Sequence, residues 1–417
     1  MKCTPPRPHT GLAALLACAV CLAAAAQSPV ELNNAGTDAY NRGDFPRAIA
    51  LLEKALAQAE DSPVVRRNLC NAYQSQANDL AKANDFKNAV RHAESAINVD
   101  PSNASPLVQA GSYYLRLDDV NTAIARLEAA ITVKPGDLDA HELLGQAYYR
   151  DNDLSSARAQ WDYVLGMDPK RPGLAERYEK AFREESVESD FGNWNSRHFR
   201  VSYPPDIPPV VRTRVMTILD RAYVDIGRSL GGVFPPPPIQ VILYNAQQFS
   251  DATQLGEHVG AVYDGKIRTP LTDPAGNWLS EEEIQRRLTH EYVHVVVRNI
   301  SGDKAPWWLN EGLAESLSKA LDTDAHRRLR EMYQNGQNRS LGELEPPGVN
   351  RMAPEPLSRA YLQAHATVDL LWTRYGRGKI ISLLQYLSSG TPPEEAFRMV
   401  YRKSYAAVER EVAGMYQ

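Results

Sequence analysis

The pattern of apolar and polar positions divides the chain into two regimes. Over residues 27–183 it is helical and self-similar, with small residues recurring at a fixed interval. Beyond that it becomes mixed. Residues 198–203 alternate as a strand, the proline cluster at 204–209 ends it, and a helical run covers 210–230. Four prolines, Pro235 to Pro238, lead into Ile239-Gln240-Val241-Ile242-Leu243-Tyr244, a largely apolar segment that predicts a buried strand, and a short helix follows over 246–254. Residues 259–271 read as two strands joined at Asp264-Gly265. Ser280 with Glu283 three residues on predicts the capping box of a helix whose valines Val293, Val295, Val296 and Val297 need burial to hold it helical. Gly302 to Pro306 is a turn, and Trp307 to Glu315 reads as a second helix. A charged helix over 324–335, a Pro- and Gly-containing loop over 341–354 that suits a cleft wall, an amphipathic helix over 358–371 and three closing helices complete the pattern.

The first regime has a period. Gly111 recurs as Gly145, Tyr114 as Tyr148, Ala123 as Ala157 and Pro135 as Pro169, each 34 residues later, and Ala89 and Pro101 fit one step earlier. From Ala48 to Ala89 the interval is 41, which gives the second unit about two extra helical turns. This spacing resembles the tetratricopeptide repeat, a helix pair whose small residues permit close packing. It implies about four repeats and a following helix at 172–185, with a groove for a peptide or protein partner. The polar, acidic run at 185–190 marks the boundary of the repeat array.

Composition changes the picture at the N-terminus. Lys2 and Arg7 precede an apolar run from Gly11 to Ala26, short for a membrane span and ending in small residues, so residues 1–26 read as an export signal cut near Ala26-Gln27. Leu15 to Cys18 faintly resembles a lipoprotein site, but the apolar run continues past it. The expected location is periplasmic or secreted, with no transmembrane span in the mature chain. Cys3, Cys18 and Cys21 leave with the signal, and Cys70 has no intrachain disulfide partner. The net charge of −5 does not suggest a nucleic-acid surface.

The chemistry concentrates in His290-Glu291-Tyr292-Val293-His294 and, after sixteen intervening residues, Glu311. Histidines at i and i+4 share a helical face and can converge on one ion, and Glu291 projects beside it. A catalytic zinc site takes three protein ligands and an open position, so a third ligand is needed, and Glu311 supplies it if the second helix runs back antiparallel. Glu315, one turn later, is placed to accept the distal N–H of a ligand histidine and orient it. Tyr361 and His365, one turn apart, are each able to donate to an oxyanion. His258 has no partner at metal-ligand spacing and reads as a loop histidine, and His198 reads as a strand residue packing at the domain edge rather than a ligand.

The two-part motif, with Trp308-Leu309-Asn310-Glu311-Gly312-Leu313-Ala314, is similar to that of the gluzincin zinc metallopeptidases, in particular the peptidase MA-like domains. The resemblance covers about residues 195–415. It implies His290, His294 and Glu311 as zinc ligands, Glu291 as general base, Glu315 behind the ligands, and Tyr361 in preference to His365. The enzymes that this chemistry resembles bind extended substrate on the sheet edge before the metal helix as one more strand, and that resemblance nominates Gly260, Ala261 and Val262 as a peptide-binding edge. The fold expected is an α-helical tetratricopeptide solenoid (27–185) followed by an α+β zincin-like metallopeptidase domain (186–417). The function expected is a Zn2+-dependent peptidase acting through a zinc-activated water on a peptide or protein substrate. The alternative is an exported tetratricopeptide assembly or scaffold protein whose zincin domain is a binding module.

Overall fold

The computed structural model describes residues 27–255 and 261–416, so the expected signal segment and Gly260 lie outside the described residues. Two compact units appear, one ending at Ala72 and the other starting at Tyr73. The first holds α1 (Pro29–Asn41), α2 (Phe45–Gln58) and the start of α3 (Pro63–Lys82), around Leu32, Ala55 and Val65. At 20 residues α3 has the extra length that the longer interval predicts; α1 has 13.

The second unit begins with helices in pairs: α4 (Phe86–Val99), α5 (Ala104–Arg116), α6 (Val120–Val133), α7 (Leu138–Arg150), α8 (Leu154–Met167) and α9 (Leu174–Glu188). The repeat is built by its turns. Asn84, Asp118 and Asn152 take a left-handed backbone (φ 62, 61 and 63). The next residues, Asp85, Asp119 and Asp153, cap α4, α6 and α8 by accepting from the third backbone N–H. Close approach explains the recurring glycines: a Cβ on Gly111 would sit 2.6 Å from Leu127, and one on Gly145 would sit 2.3 Å from Trp161. Ala89, Ala123 and Ala157 are fully buried for the same reason.

Helix α9 departs from the sequence reading. The acidic run at 185–190 was expected to break the helix, yet α9 continues to Glu188. Its acids are not a solvated linker, because Glu184 is fully buried and Glu188 nearly so. Both accept from Arg268, at 2.7 and 3.0 Å, while Tyr149 donates to Glu184 and Tyr244 to Glu188.

Arg268 belongs to a five-stranded sheet ordered β1-β2-β3-β5-β4, where β1 is Gly192–Asn195, β2 Phe199–Tyr203, β3 Ile239–Tyr244, β4 Val262–Tyr263 and β5 Ile267–Pro270. The central pairs β2–β3 and β3–β5 are parallel and the outer pairs antiparallel. Strand β3 is buried along its whole length, as its apolar run requires. Strand β1 is largely exposed and polar, so it carries no burial signal in the sequence.

Helices α10 (Pro209–Ser229), α11 (Ala246–Thr253), α12 (Glu281–Ser301), α13 (Trp307–Ser318), α14 (Thr323–Gln334), α15 (Pro354–Leu370), α16 (Arg377–Ser388), α17 (Pro393–Tyr401) and α18 (Tyr405–Tyr416) complete the unit. Ser280 caps α12, but only half of the expected capping box forms. The Glu283 carboxylate instead holds Arg286 at 2.8 Å and Arg287 at 2.6 Å, which are stronger charged partners than a backbone N–H. No helix among the described residues is long and apolar enough to cross a membrane.

Helix α13 packs on α15 at a glycine. A Cβ on Gly312 would lie 2.5 Å from the Ala364 carbonyl oxygen and 2.5 Å from Val368. Gly312→Ala is therefore expected to force the helices apart and cost about 1–3 kcal/mol, as overpacking typically does. Urea unfolding checks it, and an unchanged midpoint would show that the contact yields freely.

Candidate metal centre

Tyr292, Val293 and Val296, all fully buried, fix the orientation of α12, and His290, Glu291, His294 and Val297 line a cleft of about 550 Å³. Gly302 ends the helix in a left-handed conformation (φ 63), Asp303 repeats it (φ 65), and Pro306 starts α13 in the reverse direction. This turn brings Glu311 to the histidines. His290 Nε2 and His294 Nε2 lie 3.4 and 3.5 Å from the same oxygen, Glu311 Oε2.

These separations can be tested against a metal. Atoms held about 2.0–2.1 Å from a tetrahedral zinc stand about 3.3 Å from one another. Both nitrogen-to-oxygen separations match that edge within a few tenths of an ångström. The rings meet at 83° with centroids 4.9 Å apart, and among the described residues His290, Glu291 and His294 form a group whose candidate ligand atoms lie within 4.8 Å of one another. Glu315 Oε1 stands 3.4 Å from His290 Nδ1 and also holds Lys319 at 3.1 Å.

The electrostatics describe a centre short of positive charge. Burial pushes the Glu291 carboxyl above its usual range. Burial disfavours the charged form of His294, but the Glu311 carboxylate outweighs it and lifts the imidazole to about 9. Burial likewise opposes charge on Glu311, and His294 overrides it, lowering the carboxyl to about 2. His294 and Glu311 thus favour each other's charged forms. A divalent cation would offset the buried carboxylates and would release the His294 proton. The donor set therefore fits zinc.

The other sequence candidates separate here. Tyr361 lines the cleft with the histidines, packs on Trp307 at 5.0 Å between centroids, and has its phenol pKa raised by burial and by Glu311. His365 is buried with Nε2 3.5 Å from Asp369, and with Glu315 and Lys319 it lines a different cavity, of about 380 Å³. Ala261 and Val262 line the main cleft, and β4 is the sheet edge there. His198 stacks on Tyr223 at 3.8 Å, far from metal chemistry. Sequence reasoning missed Arg298, Ser301, Asn310 and Asn350, which also line the cleft. The first two follow His294 at helical spacing and could have been found; Asn350 comes from a loop whose path no local pattern dictates.

Glu345 supports α13 from outside the cleft. Its carboxylate accepts the Trp307 N–H at 3.1 Å, in place of the missing side-chain cap. Burial raises its pKa to about 7. A raised acid stabilises the fold while protonated, so stability should fall as pH rises from about 4.5 to about 7. Glu345→Gln should flatten that part of a melting-temperature profile against pH; an unchanged slope would assign the dependence elsewhere.

Comparison with known proteins reaches the helical array. Residues 108–172 match the tetratricopeptide repeat family model. These residues are tetratricopeptide repeats. A TPR repeat-containing thioredoxin, TTL4, of Arabidopsis thaliana is 31% identical over 87 residues, covering 21% of this chain and 12% of its own length. The chain thus spans about an eighth of that relative. Among solved structures, MamA of Desulfovibrio magneticus RS-1 is 20% identical with a TM-score of 0.31, covering 38% of this chain and 85% of its own. YrrB, described as a TPR protein with an unusual peptide-binding site, is 16% identical with a TM-score of 0.26, covering 37% and 92%.

Proposed function

We propose that this chain is a zinc-dependent peptidase of gluzincin type, exported to the periplasm or secreted, whose tetratricopeptide repeats bind a substrate or partner. The observation that carries the proposal is the convergence of His290 and His294 on one oxygen of Glu311. His290, His294 and Glu311 would hold the ion, with Glu315 orienting His290 through Nδ1. A zinc ion there supplies a Lewis acid that polarises a carbonyl and acidifies a water.

The protein's own groups do the rest. Glu291, buried and raised in pKa, is suited to take a proton from the attacking water and deliver it to the leaving amine. The Tyr361 hydroxyl, in the cleft lining, would donate to the oxyanion, and the sheet edge at β4, with Ala261 just before it and Val262 in it, would pair with an extended substrate backbone. The purified chain is expected to carry about one zinc per molecule by elemental analysis, and His294→Ala to lose it. A chain that never retains zinc would end the proposal.

A second reading is favoured by the family model, whose match at residues 108–172 lies in the helical array. In it the protein is a tetratricopeptide scaffold and the C-terminal half a binding module. A cellular role that survives Glu291→Gln would select it.

A further inference from the structure

The cleft does not end at the histidines. Arg298 and Asp303 line both it and a second groove, of about 430 Å³, between the turns of the repeats and the C-terminal end of α12. The floor is one face of α12: His290, His294, Arg298 and Ser301 follow at helical spacing. With about 1.5 Å of rise per residue, Arg298 stands about 6 Å beyond His294 and Ser301 about 10 Å beyond it. An extended peptide advances about 3.3 Å per residue, so Arg298 lies about two substrate residues from the histidines.

The groove is cationic. Lys87, Arg116, Arg150, Arg298 and Lys304 line it against three aspartates. Arg116 is occupied over the Phe86 ring and Lys304 by the Ser388 carbonyl. Arg150, from the repeats, donates through Nη1 to the Leu115 carbonyl at 2.6 Å, and Arg298 lies over the Tyr263 ring at 5.7 Å, but each guanidinium also faces a carboxylate that a ligand could displace. Their carboxylate partners Asp118 and Asp303 are loosely held, at 3.4 and 3.3 Å, and largely open to solvent. The two guanidinium groups also feel each other: after burial, Asp118 acts to raise the Arg150 pKa, and Arg298 acts to lower it, with a net fall below the ordinary value. At the junction Ser301 Oγ is fully buried with no hydrogen-bond partner among the described residues. A polar ligand running from cleft to groove would supply what these groups lack.

We propose that the groove takes the continuation of an extended polypeptide substrate, and that a carboxylate about two to three residues from the scissile bond sits between Arg150 and Arg298. The proposal rests on the peptidase reading for the word substrate, but not for the binding itself. The carboxylate comes either from an Asp or Glu side chain or from the chain's own C-terminus. The first source implies cleavage within a chain next to an acidic segment, and the second removal of short C-terminal pieces. Either way the repeats form one wall of the specificity site.

The test is equilibrium binding to the full-length chain carrying Glu291→Gln, followed by fluorescence anisotropy. The probes are three labelled twelve-residue peptides of Gly, Ser and Leu: one amidated with an internal Asp-Glu pair, its amidated Asn-Gln counterpart, and the Asn-Gln peptide with a free C-terminus. One carboxylate-bearing peptide is expected to bind about tenfold more tightly than the amidated neutral one, with a preference that shrinks as salt rises. Which peptide gains identifies the source. Arg150→Gln with Arg298→Gln should erase the preference between the charged and neutral peptides, while the paired Lys variants should keep part of it. The salt titration needs no groove substitution, so it decides the matter even if the double variant misfolds. Equal affinity for all three peptides, no binding of any, or a preference that survives in a folded double variant overturns the proposal. Turnover is read separately on the unsubstituted chain. Acid-selective binding without turnover would sink the peptidase reading and leave the groove, whereas turnover without selectivity would sink the groove alone.

Discussion

Glu291→Gln is expected to lower peptide hydrolysis about a thousandfold or more, within the range of about 10²–10⁴ typical of a lost general base, while zinc content stays that of the unsubstituted chain. The side chains have the same shape, so the cleft should keep its packing around a residue that is 5% exposed. What the amide cannot do is accept a proton. Glu291 groups with both histidines, its carboxylate within 4.8 Å of their ring nitrogens, but it is Glu311 Oε2 that both Nε2 atoms face at 3.4 and 3.5 Å, so in the proposed centre removing the Glu291 charge leaves the ligand set intact. Loss of zinc together with activity would make Glu291 a structural member of the centre. Unchanged hydrolysis would remove it from the chemistry altogether.

How much of this was legible follows from what each signal depends on. The repeats announce themselves because each turn solves the same local problem in the same way, with a left-handed Asn or Asp followed by a capping Asp at 85, 119 and 153. The histidines and Glu311 are legible because they rest on helical spacing and one turn. The buried strand β3 is legible because its apolar run leaves no polar face. What failed depended on partners distant in sequence. Glu184 and Glu188 look like a solvated acidic helix end, and only Arg268, 84 and 80 positions away, makes them interior. Glu283 has the spacing of a capping box, but Arg286 and Arg287 take its carboxylate. Strand β1 pairs with β2 while keeping an exposed polar face, so neither burial nor periodicity marks it.

The same buried cluster yields the second large effect. Arg268→Met should destabilise the chain by about 3–5 kcal/mol in urea unfolding near neutral pH, the cost of stranding a buried charge. Arg268 is fully buried; burial opposes its charge, but Tyr244 and the Glu184 carboxylate outweigh that and raise its pKa well above the ordinary value. Without it, Glu184 and Glu188 stay in the interior with Lys266 as the nearest cation, 3.7 Å from Glu184. Lys266 compensates poorly. Burial, the largest cause, opposes charge on it whether or not Arg268 is present, and its ammonium is already engaged by Asn152 at 2.7 Å; Lys180, 3.8 Å from Glu184, is partly open to solvent. If stranded charge is the cause, neutralising both acids should rescue the fold. Arg268→Met combined with Glu184→Gln and Glu188→Gln should recover most of the loss, a coupling that independent sites would not show. A loss below about 1 kcal/mol would mean that water reaches the acids, placing them in a surface network of little worth. The same variants bear on the cleft, because Arg268 pairs with Val262 across the β4–β5 ladder. The side chain that ties the last repeat helix to the sheet thus sits directly behind the edge proposed to take the substrate backbone. Peptide affinity should weaken in Arg268→Met and return in the triple variant, in step with stability.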